Sequence, residues 1–101
     1  YITVRDQAYA HTVAAKAYLS LGNYDLALQE SQAALQLQQQ LPGPLSEAWR
    51  KVNQALTAFI KGNLINCSNL IDDITHSTAQ MGYKAQALKS FLSVFKDAVM
   101  I

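Results

Sequence analysis

The chain is poor in residues that break, bridge or strongly charge a fold. Its 101 residues include one cysteine, two prolines and four glycines. The single thiol, Cys67, cannot close an intrachain disulfide, so the expected setting is a reducing cytoplasm. Charged residues make up only 15% and the net charge is +1. That leaves no basic excess for nucleic acid and no acidic tail. Polar residues interrupt every apolar stretch, so no run reaches the roughly 20 residues of a membrane helix. The opening "YITVRDQ" lacks the charged start and apolar core of a signal peptide. Without an initiating Met, and with the abrupt ending "DAVMI", the sequence reads as a piece of a longer protein. What it has in quantity is apolar surface: 50% of residues are hydrophobic, enough for one modest core.

Gly and Pro fall at four places: Gly22, Pro42-Gly43-Pro44, Gly62 and Gly82. They divide the chain into five segments of about 15–20 residues, a helical length. Ala, Leu, Gln and Lys, all good helix formers, fill them. The first carries Ala10, Val13, Ala14, Ala17, Tyr18 and Leu21 at three- and four-residue spacing. The second opens on Asn23, a favourable N-cap, with Asp25 in the first turn. Pro44 suits the start of the third, and Asn63 the cap of the fourth. Gly82 reads as a helix stop. The fifth carries Ala87, Leu88, Phe91, Leu92, Val94, Phe95, Ala98 and Val99, apolar nearly all round, as a helix packed on two sides would be. No segment alternates with period two, so the expected class is all-α with antiparallel neighbours.

Gly62-Asn63-Leu64 follows Gly22-Asn23-Tyr24 by 40 residues. At that shift Ala27 falls on Cys67, Ser31 on Ile71, Ala34 on Ile74, Ala15 on Ala55 and Tyr18 on Ala58. The pattern resembles the tetratricopeptide repeats, helix-turn-helix units of about 34 residues with small residues where helices cross. Ala15 and Tyr18, then Gly22 and Tyr24, then Ala27, Ala34 and Leu35 carry the resemblance in the first unit. Ala55, Gly62 and Leu64 carry it in the second, which departs at Cys67, Ile71 and Ile74. The longer period is more like variants found in bacterial signalling proteins, among them large maltose-regulator-type transcription activators and some diguanylate cyclases. The resemblance implies one domain over 1–101. About five antiparallel helices would stack as a right-handed α-solenoid of two and a half repeats. Repeat 1 would cover about 4–41, repeat 2 about 44–81, and the first helix of repeat 3 about 84–100. The open end would expose apolar surface and allow a homodimer.

Catalytic chemistry finds little purchase. His11 and His76 lie on different repeats. Asp72, Asp73 and His76 share one helical turn, which reads as a solvated face rather than a metal site. Cys67 falls at a helix crossing and reads as a buried structural thiol, and Asn66-Cys67-Ser68, a glycosylation sequon on paper, lies inside a predicted helix. No catalytic residue, cofactor or metal is expected. In the resembled family the first helix of each pair lines a concave surface. That implies a binding face of Tyr9, Thr12, Lys16 and Leu19, then Trp49, Val52, Asn53 and Leu56, then Lys89, Leu92 and Lys96. The leading expectation is a non-catalytic module of a larger bacterial signalling protein, binding a protein or peptide partner, without nucleic acid or membrane. The alternative is a sensor that takes a small molecule or peptide on the same face to control an attached output domain.

Overall fold

A computed structural model of the protein describes residues 3–99. Among them there are helices and no strands. Helix α1 spans Val4–Ser20, α2 Tyr24–Gln38, α3 Pro44–Ile60 and α4 Leu64–Thr78. A 3₁₀ turn over Gly82–Ala85 leads into α5, Gln86–Val99. The bounds of α3 and α4 are those of α1 and α2 moved on by 40 residues: Val4 becomes Pro44, Ser20 becomes Ile60, Tyr24 becomes Leu64 and Gln38 becomes Thr78. The expected all-α class and its segments are therefore observed. Two expectations fail: the α1 stripe of Ala10, Val13, Ala14, Ala17, Tyr18 and Leu21 stays exposed or half-buried, because the helix turns Ala8, Thr12, Ala15 and Leu19 inward instead, and Gly82 stops no helix. Helix α4 ends four residues earlier, and Gly82 opens the 3₁₀ turn instead of stopping a helix. Residue 100, the expected end of the last helix, lies outside the described residues, as do the side chains of Ala98 and Val99.

The repeated bounds have a local cause. Gly22 and Gly62 sit at φ 79° and 81°, a left-handed geometry that costs glycine little. There the Gly22 amide donates to the Leu19 carbonyl at 3.0 Å, and the Asn23 amide to the Tyr18 carbonyl at 2.9 Å. The second turn has the same pair, Gly62 to Phe59 at 3.0 Å and Asn63 to Ala58 at 2.8 Å. This double bond satisfies carbonyls that would otherwise be orphaned at a helix end. The same asparagines then start the next helix. Asn23 Oδ1 accepts from the Leu26 amide at 3.4 Å, and Asn63 Oδ1 from the Asn66 amide at 3.2 Å.

Packing follows the same register. Ala8, Thr12 and Ala15 of α1 are buried, as are Ala48, Val52 and Ala55 forty residues on, and Leu88, Leu92 and Phe95 forty beyond those. Each helix packs on the next in the chain, and α3 also touches α1 and α5. Alanines bring α1 and α2 together over the most extensive close backbone approach in the molecule; α5 stands off behind Leu and Phe side chains. Central α3 is buried on two sides, through Ala48, Val52, Asn53, Ala55, Leu56 and Ala58. The described exposed side of α5 carries Gln86, Ser90, Ser93 and Asp97 with Ala87 and Val94, so its surface there is mixed, more polar than apolar.

Candidate functional site

Because α1, α3 and α5 stand at equivalent places in the repeat, residues at matching register form rows across them. One row starts with Tyr9 and Trp49 and continues into Phe91, two residues past the matching position, Lys89. Tyr9 meets Trp49 edge to face, with ring centroids 5.3 Å apart at 82°, and Trp49 meets Phe91 likewise at 5.5 Å and 71°. Such pairs contribute about 0.5–1.5 kcal/mol beyond area burial. Phe91 is buried, Trp49 half-buried and Tyr9 exposed, so the row runs from the core out to a surface.

That surface is a groove of about 770 Å³. Tyr9, Trp49, Leu45, Leu41, Pro42 and Met81 give it apolar walls. Arg5, Asp6, Gln38, Ser46, Gln80 and Lys84 supply its polar groups. It therefore lies across the beginnings of α1, α3 and the 3₁₀ turn, where the Pro42-Gly43-Pro44 break opens space between the second and third helices.

Of the residues expected on a binding face, Tyr9 and Trp49 line this groove. Lys16 and Lys89 are half-buried and do not line it. Lys96 turns toward α4 and donates to Thr75 Oγ1 at 3.3 Å. Thr12, Leu19, Val52, Asn53, Leu56 and Leu92 are buried, with side chains inside the core. Asn53 is the centre of a polar network there. Its amide nitrogen donates to Thr12 Oγ1 at 2.9 Å and Gln38 Oε1 at 3.2 Å, and the Trp49 carbonyl lies within reach at 3.3 Å. Ser31 Oγ donates to the Asn53 carbonyl at 2.9 Å and lies 3.3 Å from Thr57 Oγ1. Arg50 closes the loop below by donating to the Gln38 and Leu41 carbonyls at 2.7 and 2.8 Å. The network ties α1, α2 and α3 together and leaves no described buried side-chain polar atom unpaired.

The remaining chemistry-bearing side chains do not converge. His11 Nδ1 pairs with Glu30 Oε2 across α1 and α2, partly exposed. Asp72, Asp73 and His76 are exposed, and no group of three metal-ligating side chains forms among the described residues. Cys67 is fully buried, and burial pushes its thiol above the usual range, which disfavours the thiolate. No described helix is long and apolar enough to cross a membrane.

The groove also draws on residues that helical periodicity does not select. Arg5, Ser46, Met81 and Lys84 sit at helix starts and in connections, where register predicts no face. Of these only Ser46 lies beside the Pro42-Gly43-Pro44 break. Comparison with protein-family models, curated proteins and solved structures found no match.

Proposed function

We propose that the protein is a non-catalytic, tetratricopeptide-like interaction module whose groove takes a short segment of a partner protein, as part of a larger regulatory protein. The observation that carries this reading is the groove itself: half-buried Trp49, edge to face with Tyr9, beside walls of Leu41, Leu45 and Met81. Aromatic anchors in well-packed apolar pockets dominate binding energy at protein interfaces. Tyr9 and Trp49 constrain one another, so little side-chain freedom is lost on binding. The predominantly apolar lining, with Arg5, Asp6 and Lys84 among its polar groups, supports recognition as the use of this surface.

A small-molecule sensor is the second reading, favoured by one observation: the groove volume lies within the range of about 300–1,000 Å³ typical of ligand sites. The apolar wall and the scatter of the polar groups fit a peptide side chain better than a polar metabolite. A homodimer through α5 draws less support, because the described exposed side of that helix is more polar than apolar.

Peptide display against the chain tests the proposal. Selected peptides are expected to change Trp49 fluorescence on binding. Trp49→Ala is expected to weaken them by about 2 kcal/mol or more, with Tyr9→Ala next. Peptides that bind equally well to both variants, or a selection that yields no binder, would overturn it.

A further inference from the structure

We infer that Arg50 is a positioning residue of the groove: it holds the wall over residues 41–44 in the place where a partner segment meets Trp49. This rests on the groove-binding reading above.

The connection from α2 to α3 has little of its own to hold it. Pro42 and Pro44 carry no amide N–H, and the Gly43 amide makes no hydrogen bond among the described residues. Gly43 has φ 100° and ψ 161°, a conformation that other residues rarely adopt, with open space on its side-chain side. The Leu41 amide donates to the Gln38 carbonyl at 3.1 Å and closes the end of α2, while the Gly43 carbonyl accepts from the Glu47 amide at 3.1 Å and opens α3. A side chain from outside pins the stretch at its start. Arg50 Nη1 donates to the Gln38 carbonyl at 2.7 Å and to the Leu41 carbonyl at 2.8 Å. Gln38, Leu41, Pro42 and Pro44 all line the groove. Three residues along α3, Asn53 holds the Gln38 side chain at 3.2 Å, so α3 grips the end of α2 by both main chain and side chain.

The two carbonyls are the only polar partners of Arg50 among the described residues, and no described carboxylate pairs with it. They lie at the C-terminal end of α2, which has no basic residue in its own last turn. The guanidinium supplies from the next helix the cation that this end of a helix favours, and a charged donor makes the stronger kind of hydrogen bond. The repeat itself does not call for an arginine here. Ala10 stands at this register in α1 and Ser90 in α5. The connection after α4 begins with the same bond, from the Met81 amide to the Thr78 carbonyl at 3.1 Å, but Ser90 is exposed and makes no hydrogen bond to it. Met81 and Lys84 of that connection also line the groove. The groove therefore has one clamped wall and one without a clamp, and the clamp stands one residue along α3 from Trp49. A wall fixed before binding spares the complex the cost of ordering it.

The test compares Arg50→Met, which keeps the apolar stem and removes the donors, with the conservative Arg50→Lys, each in the 101-residue chain. Without ligand, NMR order parameters of the Gly43 and Leu45 amides should fall in Arg50→Met, stay near the original in Arg50→Lys and be unchanged in both at Gly22 and Gly62. With a displayed peptide that reports through Trp49, Arg50→Met should weaken binding about tenfold, mainly by faster dissociation, and Arg50→Lys by less than about threefold. Both are read far below the unfolding midpoint, where a loss of stability alone moves neither. Order parameters unmoved by Arg50→Met, or equal peptide affinities in all three chains, would overturn the positioning role. Equal affinities in chains where Trp49→Ala still abolishes binding leave the groove reading standing. If the order parameters respond and no displayed peptide binds, Arg50 holds the wall as inferred and the groove reading fails.

Discussion

The turns of the two helical hairpins are near copies, and the seams behind them are not. Gly22 and Gly62 differ by two degrees in φ, and both are followed by an asparagine that ends one helix and caps the next. At the seam, α2 buries Ala27, Ser31, Ala34 and Gln38, and α4 buries Cys67, Ile71, Ile74 and Thr78 at the same register. The difference follows from the next helix in line. Helix α2 faces α3, which brings Asn53, so Ser31 and Gln38 have partners. Helix α4 neighbours α5, which brings Leu88, Phe91 and Phe95, so bulky apolar residues serve better there. A turn is a local solution and can be repeated unchanged, whereas a seam must match its neighbour.

Four measurements would break or sharpen that contrast. The largest effect is expected at the apolar seam. Ile74 is fully buried, and Ile74→Ala should cost about 3 kcal/mol in urea unfolding. The reciprocal Ala34→Ile should also destabilise, by about 1–3 kcal/mol, because Ala34 is fully buried on the helix that α1 approaches most closely. Equal and small costs for both would mean that the seams are interchangeable. Next comes the polar network. Asn53→Ala should cost roughly 2 kcal/mol, since Gln38 and Thr12 lose a buried donor. Retention of full stability would show that water replaces the amide.

The turns should respond alike. Gly22→Ala and Gly62→Ala each force an L residue into the left-handed region with open space around it, so strain alone sets the cost, about 1 kcal/mol in both. A difference above the error of the unfolding curves would break the equivalence. Smallest is the effect of Cys67, which stands where repeat 1 has Ala27. Burial raises its thiol above the ordinary range, so on alkaline titration the unfolded chain loses the proton first. Stability should be intact below that range and fall as pH rises through it. Cys67→Ala should remove this part of the slope, read as the difference between the two unfolding-versus-pH curves.

Helical periodicity was a sound guide to burial in α3 and α4, failed in α1, where the inward face is Ala8, Thr12, Ala15 and Leu19, and was a poor guide throughout to which surface remains. Thr12, Val52, Asn53 and Leu56 lie on stripes that spacing selects, and a stripe reads the same whether it meets a partner protein or another helix of the chain. Helix α3 is covered on both sides, so its stripe is spent internally. Arg5, Ser46, Met81 and Lys84 belong to helix starts and connections, where side-chain direction depends on how neighbouring elements converge.

By itself the sequence determined the helices, their turns and their 40-residue register. Glycine at a left-handed position, asparagine as a cap and proline at a first turn act within a few residues of chain. Only the tertiary structure decided that Asn53 would hold three helices together and that Tyr9 and Trp49 would share a groove with Ser46. Those pairings join residues about 15–40 apart in the chain. They depend on how closely the backbones approach, which is set by the small residues at the crossings taken together rather than by any one stretch.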